Sequence, residues 1–332
     1  MAETERKTKN VNILTGDPKK AIIAMMVPIT VALLIQSMNS VINAVWVAGL
    51  GPVALAAVGV FFPIFFILVA VGNGIGIGAS QAIARRIGEK DADAADNAAM
   101  HAVVMTAVAA VVMTALMLVV ARPLISTIGG RDIVDECMHY AYPILIGSVM
   151  MFFSGLMSSI LRSEGAAKRS MTIQILGAIV NIVLDPILIY GFGWGLAGAG
   201  IATIAANAVT LIPCIYWYRI KKDTFLKLNP RSFKYNPAIM KDISVVGMPA
   251  AGEMVLISVV SMIMNALVLH VGGTEGVAIF TGGWRVVNLL MIPLMAVSQA
   301  IVPVCAVGFG AKRYDRIREA FMFSTKFIIV IM

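Results

Sequence analysis

NIVLDPILIYGFGWGLAGAGIAT, residues 181–203, decides how this chain is read. It sets an acid, Asp185, directly before Pro186 inside an apolar run from Ile173 to Phe192. A carboxylate at membrane depth costs roughly 2.5–3.5 kcal/mol on insertion scales, so such groups face a bundle interior or a watery cavity and mark ion or substrate paths. Pro186 has no N–H to give the carbonyl of Ile182, which frees a backbone oxygen one turn from the acid. Asn181, four residues earlier, lies on the same helix face. Three oxygens within one turn suit a small cation or a proton.

Outward from this stretch the composition is that of a membrane protein. The 332 residues are 59% hydrophobic and 13% charged, with a mean hydropathy of +0.89. An ordinary soluble domain is about 25% charged. Apolar segments fall at approximately 21–50, 53–84, 97–121, 138–161, 171–192, 195–219, 242–271 and 275–309. Each reaches the roughly 20 residues that cross a bilayer. The fold class expected is an all-α polytopic membrane protein. A ninth segment opens near Ile317 and KFIIVIM ends the sequence within it, which predicts a fragment or a truncated product.

Lys and Arg number 26 against 18 Asp and Glu, a net charge of +8. They gather in the N-terminal arm and in alternate loops: Arg85, Arg86 and Lys90; Arg162, Lys168 and Arg169; the run 219–241; and Lys312 to Arg318. The other loops hold only Arg122 and Arg131. The positive-inside rule then places the N-terminus and the even loops in the cytoplasm. These cations meet lipid headgroups; without interleaved aromatic residues they do not form a nucleic-acid face. Cys137, Cys214 and Cys305 have no metal or disulfide spacing and read as small core residues.

The longest polar interruption, 219–241, divides the chain. The expected organisation is an N-terminal arm (1–20), a six-helix N-lobe (21–219), a cytoplasmic linker (220–241) and a partial C-lobe (242–332). An internal repeat supports the division. At an offset of 222 residues, Asn43-Ala44 recurs as Asn265-Ala266, Gly51 as Gly273, Ala56 as Ala278, Gly88 as Gly310, Lys90 as Lys312 and Asp93 as Asp315. With six helices between them, the halves insert in the same sense, as parallel repeats about an axis along the membrane normal.

Several stretches resemble the multidrug and toxin extrusion (MATE) transporters: GDPKKAI at 16–22, AGLGPVALAAVG at 48–59, GNGIGIGASQAIARRIGEKD at 72–91, LRSEGAAKRSM at 161–171, residues 181–203, and VPVCAVGFGAKRYDRIREAF at 302–321. The resemblance implies two six-helix lobes around a central cavity, and a plasma-membrane antiporter that expels organic cations and amphipathic drugs against H⁺ or Na⁺. It implies no cofactor and no enzymatic step; the monomer is the expected state. Carried over by motif, the coupling residues are Asn181, Asp185, Thr203 and Asn43, with Asp185, Asn181 and Thr203 as ligands if the ion is Na⁺. Asn43 stands where many relatives carry Asp, so this pocket holds one carboxylate fewer. A lipid-linked oligosaccharide flippase of the same superfamily, or a non-transporting truncated membrane protein, are the alternatives.

Other polar residues in the spans have two readings each. Gln36, Ser40 and Asn43 form one stripe, as cavity lining or as interhelical glue. Pro28 frees the Ala24 carbonyl, giving a fixed kink or a bend that gates the cavity. Glu253 either binds a cation or substrate or reaches water near a helix end. Arg285 is assigned a structural role, and His270 an interfacial one. Glycines 72, 74, 76 and 78 lack a phosphate-loop ending and let helices approach closely.

Overall fold

The computed structural model describes residues 8–129, 133–230 and 233–331. The side chains of Asn265, Ala266, Arg285 and 272–279 lie outside it, as do Arg131 and Arg231, so the expectations resting on them are not addressed below. Nine helices run through the described residues: α1 (Lys9–Thr15), α2 (Pro18–Ala48), α3 (Pro52–Gly88), α4 (Ala92–Gly129), α5 (Val134–Ser163), α6 (Ala167–Pro186), α7 (Gly195–Ile215), α8 (Pro237–Gly310) and α9 (Tyr314–Ile331). A π-helical turn, Ile187–Gly191, prolongs α6, and another, Tyr216–Lys221, prolongs α7. Among the described residues, eight stretches are long and apolar enough to cross a membrane.

Local chemistry sets the helix ends. Asp17 caps α2 by accepting from the amides of Lys19 (2.8 Å) and Lys20 (3.2 Å), and Pro18 fills the first position, where a missing N–H costs nothing. Gly193 and Gly195 take positive φ (69° and 54°) to turn the chain from α6 into α7. On α4, Val108, Val111 and Val119 are exposed, Val119 by 76%. An apolar face this open is one for lipid to cover.

The helix α8 departs from the expected pair of segments. Its 74 residues keep helical bonding through 272–274, where a break was expected; no proline interrupts that stretch to remove a donor. Straight, it would be about 110 Å long. Instead Ile243 packs on Gly78 and Val307 on Gly88, both on α3, so α8 doubles back between its two spanning portions, Pro237–Ser261 and Val287–Gly310.

The repeat seen in the sequence recurs bond for bond. After α3, the amides of Glu89, Lys90 and Asp91 donate to the carbonyls of Arg85, Ile87 and Arg86. After α8, those of Ala311, Lys312 and Arg313 donate to Val307, Phe309 and Gly308, each partner 222 residues on. Lys90 (φ 62°) and Lys312 (φ 55°) both enter the left-handed region to end their helices. The two ends also touch reciprocally: Gly88 lies on the Val307 carbonyl, and Gly310 on that of Arg85. Adding 222 to one member and subtracting it from the other converts the first contact into the second, the mark of a two-fold relation.

Two apolar clusters layer the bundle. One, at the even-loop face, joins α1 and the start of α2 to Ile83, Ile160, Leu226 and Val304. The other, at the opposite end of the first six spans, joins Val47 to Phe61, Ile144 and Ile189. On α2, the first cluster reaches Leu33 and the second begins at Trp46. The polar residues of α2 and α6 lie in that gap.

Candidate functional site

α2 and α6 meet through three rungs. Asn39 Nδ2 donates to Asn181 Oδ1 at 3.0 Å, Asn43 Nδ2 donates to Asp185 Oδ2 at 2.9 Å, and Tyr190 Oη donates to the Trp46 carbonyl at 2.5 Å. Within α6, Asn181 Nδ2 donates to Asp185 Oδ1 at 3.1 Å. The spacing of four residues on each helix (39 and 43, 181 and 185) puts each pair on one face. The third rung needs a different spacing. Pro186 ends the α-helical ladder and a π turn follows, which takes one residue more per turn. Tyr190, five residues after Asp185, thereby closes over α2, its ring edge-on to Trp46 with centroids 6.1 Å apart.

Asp185 is wholly buried (0% exposed) and Asn181 nearly so (5%). Both carboxylate oxygens accept from amide N–H groups, and no cation of the chain pairs with the acid among the described residues. An ionised carboxylate held only by neutral partners in a low-dielectric site is costly. A proton or a small cation would neutralise the group. Asn39 Oδ1 is buried with no partner among the described residues; an orphan acceptor one rung from the acid is what a cation or hydronium would satisfy. Turning an asparagine amide over exchanges its N–H for its oxygen, so the amides that donate to the carboxylate here have the chemistry to act as oxygen ligands instead.

The structure thus unites Asn43, Asn181 and Asp185 and adds Asn39. Thr203 is not bonded to them: its hydroxyl donates to Ala199 on its own helix at 3.0 Å. Gln36 and Ser40 are exposed, and Ser40 bonds back to the Gln36 carbonyl (3.0 Å). Pro28 is buried within α2. Glu253 is exposed on α8 and has no bonded partner among the described residues. His270 is exposed too. No group of three or more His, Cys, Asp or Glu side chains is placed to hold a metal ion among the described residues.

The linker is held rather than loose. Glu164, 1% exposed in the loop between α5 and α6, accepts from the amides of Phe225 (3.0 Å) and Leu226 (3.3 Å) and from Tyr218 Oη (3.2 Å). Burial pushes its carboxyl up to about 7, against those three bonds and the Arg169 charge, which lower it. On α4, Asp96 accepts from the Lys227 amide (2.8 Å) and His101 Nε2 from the Asn236 amide (2.9 Å). Arg316, following α8, donates to the carbonyls of Leu14 and Gly16 at the end of α1.

Fold and site define a polytopic helical membrane protein of two related repeats, with an unpaired acid between its apolar layers. The family profile described as MatE matches residues 28–187 and 249–332. A FAD transporter of Shewanella oneidensis is 27% identical over 326 residues, 96% of this chain and 71% of that protein. The multidrug export protein MepA of Staphylococcus aureus is 22% identical over 296 residues, 89% of this chain and 65% of its own length. A solved MOP superfamily transporter from Pyrococcus furiosus superposes with a TM-score of 0.94 at 36% identity, covering 98% of this chain and 72% of that one. The chain belongs to the MATE family, whose members are transporters and not enzymes.

Proposed function

We propose that the protein is a cation-coupled antiporter in the plasma membrane that exports organic cationic or amphipathic compounds, with Asp185 as the coupling group. The observation that carries this is the buried carboxylate whose partners, Asn43 and Asn181, are all neutral. Such a site alternates between an ion-loaded and an empty state, and the loaded state neutralises the acid. Asn39, Asn43 and Asn181 supply the oxygens around the ion, H⁺ or Na⁺. Thr203 is assigned to the group by the family motif, and Pro28, Gln36, Ser40 and Glu253 to the substrate path. Alternating access follows from two lobes rocking about the pseudo-two-fold contact, with N-terminus and even loops cytoplasmic. The family profile supports the two lobes by matching two stretches whose starts lie 221 residues apart.

Support for drug export comes from the multidrug exporter among its relatives; a flavin nucleotide is the second cargo, on the strength of the similar FAD transporter. The chain spans 65% to 71% of the length of these relatives, so their activity enters here as a proposal. The test is gradient-driven uptake of a fluorescent organic cation, and separately of FAD, by reconstituted protein and its Asp185→Asn variant. Coupled uptake lost in a variant of unchanged helicity supports the assignment; uptake at the unaltered rate refutes it.

A further inference from the structure

The first six spans hold a half-buried charge, without a charged partner among the described residues, that the coupling site does not use. Arg162 stands in the last turn of α5 with its side chain folded back along the helix. Its guanidinium donates to Ser158 Oγ (2.9 Å) and Ser159 Oγ (2.8 Å) on that helix and to Ser170 Oγ (3.4 Å) on α6. Gln174 Nε2 joins the group, 3.3 Å from the hydroxyls of Ser158 and Ser170. Every partner is neutral, and among the described residues no carboxylate pairs with Arg162. An arginine stays protonated in proteins, so a whole positive charge is fixed here.

A polar seam joins this charge to Asp185. α6 presents Ser170, Gln174, Asn181 and Asp185 at steps of four, seven and four residues, one face of a helix. At Gly177, where α6 has no polar side chain, Thr210 of α7 packs close with its methyl, 2.8 Å from where a Cβ would stand. The hydroxyl of Thr210 in turn meets Ser154 of α5 at 2.7 Å. From Ser170 to Asp185 the seam is about 22 Å long, at 1.5 Å per residue. Oxygens at intervals along it, those of Asn181, of the Thr210–Ser154 pair, and of Gln174 and Ser170, would ease a cation away from the acid toward the even-loop face. At the end it meets Arg162, and a fixed arginine in a polar passage excludes cations by electrostatic repulsion.

We propose that Arg162 is the electrostatic stop that keeps a cation bound at Asp185 from leaking through this seam. The inference rests on the coupling role of Asp185 and adds to it the means by which coupling stays tight. The experiment is ion influx into liposomes holding the full chain, under an imposed H⁺ or Na⁺ gradient and without organic substrate, read by an internal dye. In Arg162→Gln the influx rises by about tenfold, the equivalent of roughly 1.4 kcal/mol of lost repulsion. Arg162→Lys keeps the charge and stays tight. Gln174→Glu sets an acid beside the guanidinium and leaks with the arginine still in place, which carries the test if Arg162→Gln does not fold. Adding Asp185→Asn to either leaking variant restores tightness, because the route begins at the acid. The proposal is overturned if both neutralising variants remain tight, or if Arg162→Lys leaks as much as Arg162→Gln. Failure of the coupling reading looks different: Asp185→Asn alone would still drive gradient-coupled uptake.

Discussion

Replacing Glu164 with glutamine should strengthen the docking of the linker at alkaline pH and leave it nearly unchanged in acid. The carboxyl is pushed up to about 7 from its ordinary 4.5. The docked state therefore prefers the protonated acid: its contribution is complete below pH 4.5 and is lost as pH rises through 7. At 1.36 kcal/mol per unit, the difference of about 2.5 units amounts to roughly 3.4 kcal/mol in all. Between pH 5 and pH 8, two-state linkage gives a loss of about 2.5 kcal/mol, equivalent to roughly 70-fold in the opening equilibrium. Glutamine retains an acceptor for the Phe225 and Leu226 amides and offers its N–H₂ to Tyr218, whose hydroxyl then accepts. Hydrogen exchange at those two amides, corrected for the intrinsic rate, reads the opening directly. The wild-type amides should lose protection by about that factor on going from pH 5 to pH 8, and Glu164→Gln should remain flat. A variant that loosens the linker equally at both pH values would refute the reasoning, for it would mean that the ionised form is the one the site was built to hold.

Other outcomes follow from the same contacts. Asn39→Leu removes a neutral bond to Asn181 and the orphan oxygen one rung from the acid, so cation affinity should fall about five- to tenfold for the loss of ~1–1.4 kcal/mol. Unchanged affinity in a cation titration would reduce Asn39 to helix packing. In Gly88→Val the new Cβ runs into the Val307 backbone carbonyl, which has no rotamer to yield. Spin labels at Asp91 and Arg313 should then move apart by several ångströms, and an unaltered distance would show that the contact is not what holds this face closed. Tyr190→Phe deletes the bond to the Trp46 carbonyl; ion exchange at Asp185 should quicken while affinity changes little, and an exchange rate equal to wild type would remove Tyr190 from the closure.

The spans were readable because lipid demands long apolar runs, and Asp185 and Asn181 stood out for the same reason. Asn39 was hidden by ambiguity of phase. Gln36, Ser40 and Asn43 make one stripe on α2, Asn39 and Asn43 another, and helical spacing permits both; only the approach of α6 decides for the second. Glu164 and Arg162 were invisible in another way. Each reads as an ordinary charge where a helix meets a loop. The partners that bury Glu164 lie 54 to 62 residues further along, and those of Arg162 include α6. The repeat was legible in Gly88 with Gly310 and Lys90 with Lys312, since a close approach and a left-handed cap restrict residue choice more than burial in lipid does. Its counterpart in packing was not: that the two helix ends would press on each other cannot be read from an offset.

The mutual contact of those ends carries a historical implication. A surface patch that meets its own counterpart by exchange of positions is what a pair of identical chains buries about a two-fold axis. A half-length ancestor could therefore have assembled with a second copy through this same patch, and fusing the two genes would have required no new interface, only a tether between them.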